Sequence, residues 1–235
     1  MKGFRLFLVF ILTCVLAAVA FGGENISVHK VQGNVMIRVG VTETWNKVNT
    51  GDVLNPDATV RTGKNSSAVI FLLSANKRVL LPPEVMVDIS DMRELTQEEL
   101  MLKLTMEKVR ASSYEWKNKE MNIPGTTVVH GEAKDKKDAS AEANIEAGLL
   151  QLNGIRVLYE NGYYSTSALR TMDVLRRYPS LGEKFEYRML GAQALEKARL
   201  KGEALNEYVL ISQLPSLTRE QRDVVQSRIS QLKKQ

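Results

Sequence analysis

The chain has 235 residues, 44% of them apolar and 25% charged, close to globular averages, which excludes a wholly disordered polymer and leaves room for one large or two small cores. Its 32 Lys and Arg outnumber 27 Asp and Glu, for a net charge of +5. Setting aside Lys2 and Arg5 of the leader leaves +3, too weak and too scattered an excess to argue for a nucleic-acid partner.

The leader comes first. Behind Lys2 and Arg5, residues 6–21 (LFLVFILTCVLAAVAF) are uncharged and strongly apolar, and Ala18-Val19-Ala20 is a small-x-small exit. This pattern predicts a secretory signal peptide over residues 1–23 and a periplasmic or secreted protein. The alternative is retention as an N-terminal membrane anchor, although the run is short of the roughly 20 residues of a spanning helix. Apart from such an anchor, the protein is expected to be peripheral to a membrane at most. Cys14, the single cysteine, sits inside the apolar run behind Thr13 rather than a small lipoprotein-type residue. The mature chain is then expected to hold no thiol, hence no disulfide, thiolate metal ligand or Cys nucleophile.

From residue 28 to residue 89 apolar and polar residues alternate, and Gly, Asn and Asp mark turns at short intervals. This is the pattern of a compact antiparallel β domain. Val31, Val35, Ile37 and Val39 point one way, while Gln32, Asn34 and Arg38 face water. Turns are expected at Gly51-Asp52, at Asn55-Pro56-Asp57, and at 74–77 between two hairpin strands. The continuous run 68–73 predicts a central strand buried on both faces. Pro82-Pro83 interrupts pairing, and Val85, Val87 and Ile89 form another half-buried strand. Leu100, Leu102, Leu104 and Met106 also alternate, which predicts a strand over residues 100–110, with a helix as the rival reading. A last hairpin is expected around Pro124-Gly125.

The run VQGNVMIRVG, Trp45, VNTGDVL, ATVRTGKNSSAVIFLL and RVLLPPEVMVDI resembles the FecR-type periplasmic domain. The matching features are Gly33-Asn34-Val35, Trp45, the turn at 51–54, Thr62-Gly63, the strand at 68–72 and Pro82. IPGTTVVHGE, residues 123–132, is similar to the family's later stretch, with His130 where an Arg is usual and the Thr missing. The resemblance implies an extracytoplasmic all-β domain over residues 24–132. Full-length relatives carry a cytoplasmic sigma-factor-regulating segment ahead of a membrane span. Only five residues precede the apolar run here, so a signal-relay role is not carried over.

Residues 133–139 (AKDKKDA) read as a charged linker. From residue 140 the period becomes about 3.6. Ile145, Leu149, Leu152, Ile155 and Tyr159 share one helix face, closed by Asn161-Gly162. Ala168, Met172 and Leu175 mark a second helix, stopped at Tyr178-Pro179. Ser180 and Glu183 predict a capping box opening a third helix with Phe185, Met189, Ala192 and Leu195. A fourth carries Leu205, Val209 and Leu214. Thr218 and Gln221 predict a second capping box, opening a last helix with Val225, Ile229 and Leu232. The helix stops Pro179 and Pro215 lie 36 residues apart. Helix pairs at that period resemble tetratricopeptide-type repeats over residues 140–235; a plain helical bundle is the rival. The expected fold class is thus a multidomain β + α chain, with an all-β sandwich or roll followed by an all-α helix-hairpin domain.

No motif for catalysis stands out. His29 and His130 lie at opposite ends of the β half without a ligand set around them. Ser66 and Ser67 lack a G-x-S-x-G elbow, and there is no phosphate-binding glycine loop. Glu98-Glu99 reads as a solvated acid pair rather than an acid–base couple. No catalytic residue, metal or cofactor is assigned. Trp45 and Trp116 are candidates for a glycan platform, set against ordinary core packing. Tyr159, Tyr163 and Tyr164, with Tyr178, are candidates to line a peptide groove, again set against packing. The expected function is a non-enzymatic binding or scaffolding protein, its β domain on an envelope component and its helical repeats on a protein partner. The alternative is a glycan- or peptidoglycan-binding module acting through the β domain.

Overall fold

The structure, a computed structural model, describes the backbone of residues 26–42, 44–120 and 134–234, and side chains for 26–42, 44–110 and 145–234. An N-terminal antiparallel β unit is followed by helices. The strands are β1 (Ile26–Gln32), β2 (Val35–Val39), β3 (Asn46–Lys47), β4 (Val53–Leu54), β5 (Ala58–Thr62), β6 (Ser67–Leu72), β7 (Lys77–Leu81) and β8 (Met86–Asp88). They form two four-stranded sheets, ordered β4-β1-β6-β7 and β3-β2-β5-β8.

The period-two pattern is realised as a shared core between the sheets. Ile26, Val28, Val35, Val60, Ile70, Leu72, Val79 and Leu81 are all buried there. The turn from one sheet to the other runs through Gly33 at φ 75°, where the Asn34 amide donates to Ser66 Oγ at 2.8 Å. A Cβ on Gly33 would stand 2.6 Å from that same hydroxyl oxygen, so a glycine is required. Ser66 is therefore a turn anchor. β6 is central as expected, but only alternate residues are buried. Its outer face carries Val69 and Phe71 half-exposed, with the Arg78 guanidinium 6.0 Å from the Phe71 ring. The expectation of burial on both faces is thus corrected: no layer of described residues covers that side. His29 is exposed where the β1–β6 register shifts between Val28 and Lys30.

The described helices are α1 (Gln97–Glu120), α2 (Lys134–Glu160), α3 (Tyr164–Arg177), α4 (Phe185–Lys197), α5 (Lys201–Ser212) and α6 (Arg219–Lys233). The strand expected over 100–110 is instead the start of α1. Leu100 and Leu104 are buried and Glu107 beside them is 6% exposed, a 3.6-residue spacing. Leu102 and Met106, which completed the apparent alternation, face solvent. The charged segment expected as a linker starts α2 from Lys134. The hairpin at Pro124-Gly125 and His130 lie outside the described residues, as does the leader. Trp116 is on α1, in the part whose side chains are not described.

From α2 to α6 each helix packs on the next, and α1 packs on α3. Tyr208 is fully buried among them, its hydroxyl donating to Glu196 at 2.9 Å. The Thr218 capping box is present: the Gln221 amide donates to Thr218 Oγ1 at 3.2 Å, and the Thr218 amide to Gln221 Oε1 at 2.9 Å. The one expected at Ser180 is not. Pro179–Glu183 form a 3₁₀ turn, and Lys184, without a side-chain cap, precedes α4. Pro179 at the first position sets a tight turn that already uses those residues.

The two halves interlock. Val157, Leu158 and Tyr163 join the core of the sandwich, while Leu95, Leu100 and Leu104 join that of the helices. α2 lies across β8.

Candidate functional site

The strongest concentration of polar chemistry lies where α2 and α3 cross the second sheet. Arg38 on β2, Thr59 on β5 and Asp88 on β8 are directly paired across adjacent strands, so they share one sheet face as a rung. That face is turned to the helices: the same residues line a cleft of about 180 Å³ with Gln151, Arg170 and Arg177. Its apolar floor includes Val87, Ile155 and Val174.

Helical spacing puts Arg170, Asp173 and Arg177 on one face of α3. Arg170 is the hub. Its Nε donates to Asp91 Oδ2 at 2.5 Å, its Nη2 donates to Asp88, and its Nη1 lies 3.8 Å from Asp173. Arg176 pairs with Glu107 of α1 at 2.9 Å and with Asp173 at 2.6 Å. Arg177 donates to Asp173 at 2.8 Å and to Gln151 Oε1 at 2.7 Å. The charges thus join the sheet edge, α1, α2 and α3 in one network. A second hollow of about 390 Å³, between α1 and α3, lies on the other side of Arg170 and Asp91.

Burial pushes the Asp91 carboxyl up to about 6, although Arg170 beside it pulls the other way. Burial works against the Arg170 charge, but Asp91, Asp88 and Asp173 outweigh it and hold the guanidinium above its ordinary value. Just before α1, the Glu94 carboxylate accepts from the Ser165 amide at 3.0 Å, and the Leu95 amide donates to Ser165 Oγ at 2.7 Å. This supplies the open first turn of α3, which Tyr163 does not cap.

Arg38 differs from its neighbours. It forms no ion pair with a described residue; its guanidinium lies 5.1 Å from the centre of the Trp45 ring. Its Nε is buried and meets no acceptor among the described residues. Thr59, itself buried, donates to Asp88 Oδ1 at 2.6 Å.

The aromatic candidates part company. Trp45 is half-buried against Arg38, at the edge of this region. Tyr163 is in the sandwich core, with Lys77 Nζ 4.3 Å from its ring centre. It therefore lines no open groove. Tyr159 and Tyr164 meet edge to face at 5.2 Å, half-buried on α2 and α3. Tyr178 is half-buried and packs with the helices, with Arg177 over its ring at 5.5 Å. Asp88, Asp91, Arg170 and Asp173 were not singled out from sequence. The available signal was an acidic pair just after a strand and an Arg-x-x-Asp-x-x-Arg-Arg run on one helix, which reads equally as a solvated charged face.

Among the described residues no group of three or more His, Cys, Asp or Glu is placed to hold a metal ion. No helix there is long and apolar enough to cross a membrane. Comparison of the chain with protein-family models, curated proteins and solved structures finds no match.

Proposed function

We propose that the protein is a non-enzymatic binding or scaffolding module that works outside the cytoplasm. Its FecR-like sandwich contacts an envelope component, and its tetratricopeptide-like helices contact a protein partner. The observation that carries this reading is the interlock of the halves: residues of α2 complete the sandwich core, and Arg170 ties α3 to the sheet edge. A body so joined holds two partners at a fixed separation, as an adaptor requires. The residues that resemble the FecR-type domain support the sandwich half, since Gly33, Thr62-Gly63 and Pro82 fall at its turns and strand ends. The apolar leader supports export.

The test uses the full chain, because α1 and the sandwich share cores with the later helices. Photo-crosslinking residues are placed at exposed Leu80 on the sandwich and exposed Leu102 on α1, and cells are fractionated. The reading expects the protein in the envelope or outside the cell, with a different adduct from each position. Recovery in the cytoplasm alone, or one identical adduct from both positions, rejects it.

The pairing of half-buried Trp45 with Arg38 favours a second reading, a glycan reader acting through the sandwich. Sedimentation of the full chain with purified cell wall, lost in Trp45→Ala, distinguishes it.

A further inference from the structure

We propose that the cleft between the second sheet and α3 binds a small zwitterion of the amino-acid class, its carboxylate on Arg38 and its ammonium on Asp88. This goes beyond the adaptor reading and is tested separately from it.

Three observations carry it. The first is the rung. Arg38, Thr59 and Asp88 sit opposite one another on three neighbouring strands, so the cation and the carboxylate start from backbones about 10 Å apart, two strand spacings. The short Thr59 side chain stands between them and donates to Asp88, and both charged side chains line the cleft above it.

The second is unused capacity. The buried Arg38 Nε has no acceptor among the described residues, and an unsatisfied buried donor costs about 1–3 kcal/mol. A guanidinium edge matches a carboxylate in plane and charge. Asp88 accepts from Thr59 and Arg170. Its side chain is still 36% exposed, and a carboxylate offers about four acceptor positions.

The third is balance and size. The cleft lining carries Arg38, Arg170 and Arg177 against Asp88, Asp91 and Asp173. An ion of either sign would leave a net charge in a partly buried place, which is costly; a zwitterion adds none. The volume of about 180 Å³ compares with the roughly 150 Å³ cavity that admits a benzene-sized molecule. That suits a free amino acid and excludes a folded peptide segment.

The test is a titration of the isotope-labelled full chain by NMR with three probes of nearly equal size: L-alanine, propionate and ethylamine. They carry both charges, the carboxylate alone and the ammonium alone. Alanine is expected to shift the Arg38 Nε–H and Asp88 amide signals, and to bind about tenfold or more tighter than either single ion. Arg38→Gln removes no ion pair among the described residues; it should weaken alanine binding by about tenfold, with retained circular dichroism as its control. Asp88→Asn should do the same, with retained circular dichroism as its control. Propionate binding as tightly as alanine overturns the proposal. So does unchanged alanine affinity in Arg38→Gln, or shifts confined to residues away from the cleft.

Discussion

Gly154 of α2 lies against the main chain of Met86 in β8: a Cβ on the glycine would stand 2.1 Å from the Met86 carbonyl oxygen. No side chain fits there, and the obstacle is backbone, which cannot rotate aside. The helix rests on the strand at this point. The neighbouring Asn153 adds a hydrogen bond from its side-chain amide to the Glu84 carbonyl at 2.9 Å.

Gly154→Ala is therefore expected to lower stability, although alanine is the better helix former by about 1 kcal/mol. Forcing α2 off β8 should outweigh that and leave a net loss of about 2 kcal/mol or more. Thermal unfolding of the full chain checks it; an unchanged or raised midpoint would show that the helix does not bear on the strand.

Arg170→Met should cost more than an ordinary surface charge. The change strands Asp91, whose side chain is only 16% exposed, and frees Asp88. Breaking a buried pair from one side costs about 3–5 kcal/mol; the partial exposure of Asp88 brings the expectation to about 2–3 kcal/mol. Urea denaturation reads this directly. Combining the change with Asp91→Asn should recover part of the loss, because the stranded charge is then gone.

Acidity should act through the same carboxyl. Burial raises Asp91 from 3.8 to about 6, so over that interval the folded chain retains a proton that the unfolded chain has released. Its contribution is full below about pH 4 and is lost as pH rises through about 6, a fall of about 2–3 kcal/mol at most. Burial raises Glu207 too and adds to the same slope. Glu99 behaves oppositely: hydrogen bonds from Arg93 and Lys103 hold it down at about 2. Its stabilising contribution is present above 4.5 and lost as pH falls towards about 2, a window that meets that of Asp91 only between 3.8 and 4.5. Urea midpoints across this range should fall with rising pH in the native chain and fall less in Asp91→Asn. Parallel curves would remove Asp91 as the source.

The start of α1 offers a paired test. Leu104 is 2% exposed and Leu102 is 64% exposed. Leu104→Ala should cost about 2–4 kcal/mol, and Leu102→Ala should stay within about 0.5 kcal/mol. Equal losses at both positions would restore the strand reading, in which the two share one face.

That segment shows why part of the fold was legible from sequence and part was not. In β6 and β7 buried residues alternate, and between residues 26 and 88 turn residues fall at the turns, so there pattern and packing agree. In α1 the exposed Leu102 and Met106 are as apolar as the buried Leu100 and Leu104, and the period of two they create masks the helical one. Thr218 and Gln221 worked as a cap because nothing competes there. Ser180 follows a proline that had already committed its segment to a 3₁₀ turn. The cleft was illegible for a different reason. Arg38 and Asp88 lie fifty residues apart in sequence, and Asp91 and Arg170 nearly eighty. Only strand order and the crossing of α2 bring them together, and neither is written in local spacing.

Val157, Leu158 and Tyr163 complete a core whose other members all precede residue 93. During synthesis the first half leaves the ribosome with that gap still open, and chains extend by about 5–20 residues each second. The sandwich therefore waits several seconds for its last wall, with apolar strand surface uncovered meanwhile. A holding chaperone would matter most in that interval, and a nascent chain stalled before residue 157 should be far more open to protease than one released at full length.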